Sequence, residues 1–150
     1  RQTGAKFYMH AAEAPIAASL VSTAQRVGQQ AEDPPAPDFE PEEGDAIEVE
    51  GVKLRIIHTP GHTPGSLSFY TEGMLFSGDT LFAGSIGRTN LPGGDYDQEM
   101  ASIIDKLLLL PDDTIVLPGH MQETRIGFER QANPFVAQWL AQRSGEDSHP

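Results

Sequence analysis

Hydrophobic and polar residues alternate through the middle of the chain, which is the pattern of β-strands that bury one face. The pair Glu50-Gly51 separates the first two alternating segments and is typical of a tight hairpin turn. The turn-forming residues 71–73 separate the next two segments in the same way. The strands predicted from this pattern span residues 47–49, 52–58, 66–70, 74–77 and 114–117.

Apolar residues that recur every three to four positions predict helices in the second half of the chain. The clearest helix begins after Asp95, which can cap it, and Gln98 is the matching capping-box residue. Its apolar stripe runs from Tyr96 to Leu108, so we expect it to pack on the sheet. A last helix is predicted to begin at Pro134, because proline is well suited to a first helical turn.

The N-terminal segment is predicted to form a short strand over residues 5–9 and a helix over residues 11–30. Alanine favours the helix, and Pro15 is compatible with it only near the first turn. The residues expected on its apolar face are Leu20, Val21 and Val27.

Residues 29–45 contain four prolines and seven acidic residues, a composition that cannot bury much apolar surface. We interpret this segment as a solvated acidic loop rather than a calcium site, because its carboxylates lack a ligand-like spacing. Residues 144–150 are expected to form a polar tail. The length of 150 residues is typical of one domain, so residues 1–150 are expected to form a single domain.

The formal net charge of −12 opposes nucleic acid and anionic membrane surfaces as partners. No apolar stretch approaches the length of about 20 residues that a membrane-spanning helix needs. A soluble, cytoplasmic protein is therefore expected. Because the chain has no cysteine, a metal site in it must use nitrogen and oxygen ligands.

Three side chains of metal-ligand type each follow a glycine at the predicted end of a strand. They are His62, Asp79 and His120. A single histidine in such a place is usually a hydrogen-bonding or surface residue, but the threefold occurrence favours one metal-bearing edge. Two histidines and one carboxylate match several metal sites, including that of mononuclear iron enzymes. His10 and His58 lack this context; His58 is better suited to a supporting role.

The residues around these ligands form motifs that resemble the metallo-β-lactamase-fold hydrolases. The motifs are Thr59-Pro60-Gly61-His62-Thr63-Pro64-Gly65-Ser66, Phe76-Ser77-Gly78-Asp79-Thr80-Leu81-Phe82 and Leu117-Pro118-Gly119-His120. The segment 83–95 resembles the glyoxalase II-like branch, the hydroxyacylglutathione hydrolases. This resemblance implies an α/β fold of the αββα sandwich type, of which the chain resembles the C-terminal two-thirds.

The resemblance also implies roles for the three ligands. His62 would bind a first metal and His120 a second, while Asp79 would bridge both as the catalytic carboxylate. The two ions would be zinc, iron or manganese. The family's His-x-His-x-Asp-His motif, which supplies the other ligands, is absent from these 150 residues, as are the N-terminal strands of the fold. A second chain, a swapped copy or a further segment is therefore expected to complete the fold.

The activity implied is hydrolysis of a glutathione-type thioester by a metal-activated water. Arg88 lies where relatives carry a basic residue that binds glutathione, so it is a candidate for binding a substrate carboxylate; a purely loop-fixing role remains the alternative. Two further hypotheses stay open on the sequence alone. One is a truncated, inactive remnant with a binding or regulatory role, and the other is a mononuclear iron oxygenase.

Overall fold

The computed structural model describes residues 4–146 and contains a six-stranded sheet, and the helices of the second half of the chain pack on one face of it. The order of strands in this sheet is β1-β2-β3-β4-β7-β8, and β5 pairs with β6 in a separate two-stranded ribbon. The strands are β1 Ala46–Val49, β2 Val52–His58, β3 Leu67–Thr71, β4 Met74–Gly78, β5 Leu81–Phe82, β6 Ser85–Ile86, β7 Ile115–Pro118 and β8 Thr124–Arg125.

The two predicted hairpins are confirmed. β1 pairs with β2 and β3 pairs with β4, both antiparallel. In the first turn Glu50 and Gly51 have φ angles of 51° and 84°, as a two-residue turn with left-handed backbone at both positions requires. These local hairpins explain why the alternation of the sequence located four strands to within one or two residues.

The helices are α1 Ala14–Ala18, α2 Leu20–Arg26, α3 Tyr96–Asp105, α4 Ile126–Ala132 and α5 Pro134–Glu146. The predicted cap of α3 is confirmed, because the Asp95 side chain accepts a hydrogen bond from the Gln98 N–H at 3.0 Å. The α3 stripe ends earlier than predicted, since Leu107–Leu109 forms a separate 3-10 turn. The predicted start of the last helix at Pro134 is also confirmed.

The core lies between the sheet and the helices that follow β4 in the chain. Leu75 of β4 and Val116 of β7 are fully buried there, together with Ile103 of α3. β4 and β7 are the one parallel pair among the described strands, and α3 forms part of the crossover between them. The crossover buries the apolar stripe of α3 and aligns the ends of β4 and β7.

The N-terminal segment differs from its prediction. The helix predicted over residues 11–30 is a 3-10 turn, Ala11–Glu13, followed by the short helices α1 and α2, and it ends at Arg26. Its expected apolar face is not buried, since Leu20 is 47% and Val27 67% exposed. The strand predicted at residues 5–9 is reduced to one bridge between Tyr8 and Phe39. Propensity alone does not sustain these elements without a surface to pack on.

The remaining differences are short elements. The strands β5, β6 and β8 have two residues each, too few for a periodic pattern, and α4 was not predicted. Residues 29–45 contain no helix or strand apart from the bridge at Phe39. The predicted polar tail is helical to Glu146, and residues 147–150 of it lie outside the described residues.

The sheet face opposite the helices carries exposed apolar side chains. Phe76 is 40% exposed there, and its cross-strand neighbours are Phe69 and Leu117. Alternation along the strands places these residues opposite the buried Leu75 and Val116. Val49, Val52 and Met74 are also exposed at this face. No helix within residues 4–146 is long and apolar enough to cross a membrane.

Candidate metal centre

The three candidate ligands lie at one edge of the sheet because of the strand directions. β2 and β4 run in the same direction, since each is antiparallel to β3, and β7 is parallel to β4. The carboxyl ends of these three strands therefore share an edge, and His62, Asp79 and His120 follow them at short distances in the sequence. This geometry depends on strand order, which the alternation pattern does not contain.

Asp79 lies between the two imidazoles. Its Oδ2 is 3.9 Å from Nε2 of His62, and its Oδ1 is 3.1 Å from Nδ1 of His120. The exposed fractions of the side chains are 19% for His62, 39% for Asp79 and 62% for His120, so the centre opens toward solvent on the His120 side. The two carboxylate oxygens thus each face a different histidine.

The ring of His62 is held in one tautomer by its neighbours. Its Nδ1 is 2.8 Å from the backbone carbonyl oxygen of Arg88, and a carbonyl can only accept. Nδ1 therefore carries the proton and donates it, which leaves the lone pair of Nε2 directed toward Asp79. This is the arrangement in which a neutral histidine can bind a cation.

His120 is placed by packing and by a close backbone approach. Its ring lies 4.6 Å from that of Phe82, which is buried at the end of the β5–β6 ribbon. A side-chain carbon added at Gly119 would lie 2.5 Å from Oδ1 of Asp79. Glycine at this position therefore gives the carboxylate room to reach His120.

The donor set fits cations on two counts. Ligands that each lie about 2.0–2.2 Å from one ion cannot be more than about 4.4 Å apart, and both histidine–Asp79 pairs meet this limit, although the His120 Nδ1 proton, which is hydrogen-bonded to Asp79, would have to leave before a cation could bind there. A carboxylate whose two oxygens face different imidazoles suits a bridging ligand. Within residues 4–146, however, no group of three His, Cys, Asp or Glu side chains is arranged to hold an ion. Each pair could supply at most part of a coordination shell.

Glu99 of α3 lies beneath this centre and was missed by the sequence analysis. It is fully buried, and its Oε2 accepts a hydrogen bond from the backbone N–H of His62 at 2.8 Å. Burial raises the pKa of Glu99 to about 8, with a smaller contribution from the charge of Asp79, while the His62 N–H opposes the shift. Its position four residues after Asp95 on the buried side of α3 was the available signal.

Arg88 and the other histidines take different positions. The Arg88 side chain is exposed, and its Nε donates to Oδ1 of Asn90 at 3.0 Å. The guanidinium therefore stays beside its own loop, and only the backbone carbonyl of Arg88 contacts His62. His58 donates from Nε2 to the carbonyl of Pro64 and stacks on His10 at 4.0 Å. The stacked pair of His58 and His10 is thus hydrogen-bonded to the loop that carries His62.

Sequence comparison agrees with the fold. Residues 1–120 match the metallo-beta-lactamase superfamily. The chain belongs to this superfamily, and the resemblance inferred from its motifs is confirmed. It is 44% identical over 121 residues to hydroxyacylglutathione hydrolase GloC of Haemophilus influenzae, covering 79% of this chain and 57% of that protein. It is 48% identical over 108 residues to an uncharacterized protein of Aquifex aeolicus, covering 71% and 51%.

Solved structures show the same fold. TTHA1623 in a di-iron-bound form superposes with a TM-score of 0.77 at 38% identity, covering 89% of this chain and 66% of that one. The BLEG-1 B3 metallo-beta-lactamase gives 0.76 at 39% identity, covering 86% and 64%. The chain spans about half the length of the relatives it matches in sequence.

Proposed function

We propose that this chain carries part of the active centre of a metal-dependent hydrolase that acts on a glutathione-type thioester. The observation that carries the proposal is the position of Asp79, whose two oxygens face the imidazoles of His62 and His120. The similarity to a hydroxyacylglutathione hydrolase supports the substrate class. The remaining ligands would come from a further segment or a second chain.

His62, Asp79 and His120 would hold two divalent cations of the zinc, iron or manganese type. When bound, such ions lower the pKa of a water and polarise a carbonyl group. Asp79 would contribute a negative charge that offsets part of the charge of both cations. The Arg88 carbonyl keeps the His62 ring in the tautomer that presents Nε2.

Substrate binding is the proposed role of the exposed Arg88 side chain. A guanidinium can pair with a carboxylate through two parallel hydrogen bonds, which suits the carboxylates of a glutathione moiety. The Asn90 amide oxygen already accepts from Nε of Arg88 and so restrains the side chain. The proposed contact would use the terminal nitrogens.

Metal content and hydrolysis measured on the same preparation test this proposal. The protein, purified from zinc- or iron-supplemented cells, should contain about two ions per chain once the coordination shells are complete, and it should hydrolyse S-lactoylglutathione. Asp79→Asn should lose both properties. Hydrolysis that persists after chelation of all metal would refute the proposal.

A binding or regulatory role without catalysis is the second candidate. It is favoured by the lack of a three-ligand group within residues 4–146. A folded protein that retains no metal would support it. A mononuclear iron oxygenase receives less support, because His62 and His120 face opposite oxygens of Asp79 and form pairs rather than one triad; one ferrous ion with oxygen consumption would favour it.

A further inference from the structure

One face of α3 holds the turn that carries His62. The turn spans residues 60–62, and three of its backbone polar groups are bound by residues spaced four and three positions apart along α3 and its cap. The Asp95 N–H donates to the Gly61 carbonyl at 2.8 Å, the His62 N–H donates to Glu99 at 2.8 Å, and the Ser102 hydroxyl donates to the Pro60 carbonyl at 2.7 Å.

The approach of this turn to α3 is very close. A side-chain carbon at Gly61 would overlap the backbone of Glu99, and Gly61 has a φ of +145° that other residues rarely adopt. A side-chain carbon at Gly87 would likewise overlap the Asp79 carbonyl and crowd Oε1 of Glu99. Glu99 therefore lies against the His62 turn and against Gly87, which in turn contacts the backbone of Asp79.

A buried carboxyl group is costly, and an apolar residue would fill the same space at a lower cost. Oε1 of Glu99 is buried against Gly87 and forms no hydrogen bond of normal geometry in the part of the chain that the structure describes, although the Gly87 backbone helps to stabilise the charged carboxylate. The other oxygen, Oε2, accepts a hydrogen bond from the backbone N–H of His62. Core packing thus gives no reason for a carboxyl group here, whereas the His62 N–H does.

We propose that Glu99 is a positioning residue that fixes the direction of the His62 side chain for cation binding. Glu99 holds the His62 backbone from below while the Arg88 carbonyl holds its ring, so Nε2 is aimed from two sides. This inference deepens the proposed function and rests on it for the role of His62 as a ligand. The position of the ring can be tested without any metal.

The test compares Glu99→Leu with Glu99→Gln. Leucine fills the space without an acceptor, and glutamine keeps a carbonyl oxygen for the His62 N–H. Long-range proton–nitrogen NMR of the metal-free protein should show one His62 tautomer in wild type and in E99Q, and exchange between tautomers in E99L. Zinc titration of protein whose coordination shells are complete should show an affinity about 10–100-fold weaker in E99L, with E99Q near wild type.

Ser102→Ala is the matched control, because it removes a neighbouring hydrogen bond from α3 to the same turn. It should lower stability toward urea while leaving the His62 tautomer unchanged. If E99L does not fold, Glu99→Met supplies a flexible side chain of similar length for the same comparison.

The outcomes separate the two proposals. Unchanged His62 tautomers and zinc affinity in E99L or E99M, or equal damage in E99Q, would overturn the positioning role. Wild-type protein with complete coordination shells that binds no zinc but shows the expected tautomer pattern would overturn the ligand role of His62 and leave the positioning of its ring supported.

Discussion

The backbone carbonyl of Arg88 accepts a hydrogen bond from Nδ1 of His62 at 2.8 Å, although the two residues are 26 positions apart. The loop after β6 therefore fixes the His62 ring through a backbone atom, and this contact does not depend on the side chains of the loop. This separates two possible effects of a mutation at position 88. A change of side chain removes the guanidinium but keeps the carbonyl.

Arg88→Ala should consequently weaken substrate binding without weakening metal binding. Loss of a charge-assisted hydrogen bond of about 1.5–3 kcal/mol corresponds to roughly a 10–100-fold rise in KM for the thioester. Steady-state kinetics of the metal-loaded protein, with zinc titration in parallel, measure both effects. An unchanged KM would leave Arg88 with a loop-fixing role only.

Asp79→Asn should reduce the affinity for zinc by at least ~100-fold, since even an outer partner of a ligand is worth 10–100-fold. The fold should persist, because the side chain is 39% exposed and lies at the sheet edge. Calorimetric titration provides the affinity. Glu72→Gln, which also removes one negative charge but in the exposed β3–β4 turn, is the control and should bind zinc like wild type.

Gly61→Ala should lower the free energy of unfolding by about 2–3 kcal/mol, because the new carbon overlaps the Glu99 backbone at a positive φ. Gly84→Ala is matched to it: its φ is +65°, but nothing lies within 4 Å of the added carbon. The control should therefore lose only about 1 kcal/mol. Urea unfolding distinguishes them, and equal losses would mean that the close approach to α3 is unimportant.

Acidification should destabilise the protein through His10. Burial lowers the pKa of His10 from 6.5, and the charge of His58 lowers it further, while nearby carboxylates oppose the shift. A folded-state pKa below the unfolded value means that this contribution to stability is complete above pH 6.5 and is lost as the pH falls through the folded value. His10→Asn keeps an acceptor for the Ala12 N–H and should show a smaller loss of stability between pH 7 and pH 5.

A steeper loss of stability in His10→Asn than in wild type would contradict this assignment. Thermal unfolding measured across the same pH range provides the comparison.

The exposed apolar face of the sheet should cause self-association unless another segment or chain covers it. Light scattering of the 150-residue chain is expected to show species larger than a monomer. Phe76→Lys should reduce association, because Phe76 is 40% exposed at the centre of this face. Leu109→Lys, at a residue 75% exposed in the 3-10 turn after α3, should not. A monodisperse wild-type monomer would refute the prediction.

The hairpins were predictable because their pairing is local: a period of two and a turn at residues 50 and 51 specify the register. The helix over residues 11–30 was predicted too long, because an alanine-rich composition indicates only a high helix propensity. The N-terminal segment has no buried face that would stabilise a long helix. Elements of two residues, such as β5, carry no period at all.

The candidate centre was predictable only in part. His62, Asp79 and His120 could be chosen from their glycine-bearing strand ends, and the structure brings them together; their role as ligands remains a prediction. Glu99 was not chosen, because a glutamate in an amphipathic helix is usually solvated and its position four residues after Asp95 is a weak signal by itself. Its burial depends on the close packing of Gly61, a contact between residues far apart in the sequence.

The parallel pairing of β4 with β7 also affects how the chain reaches its folded state. Asp79 and His120 are 41 residues apart in sequence and meet only when this long-range pair has formed. Closing such a loop is entropically costly and slow compared with forming the hairpins of β1 to β4. We therefore expect the hydrogen bond between Asp79 and His120 to form late in folding, and with it the arrangement of side chains that we propose for cation binding.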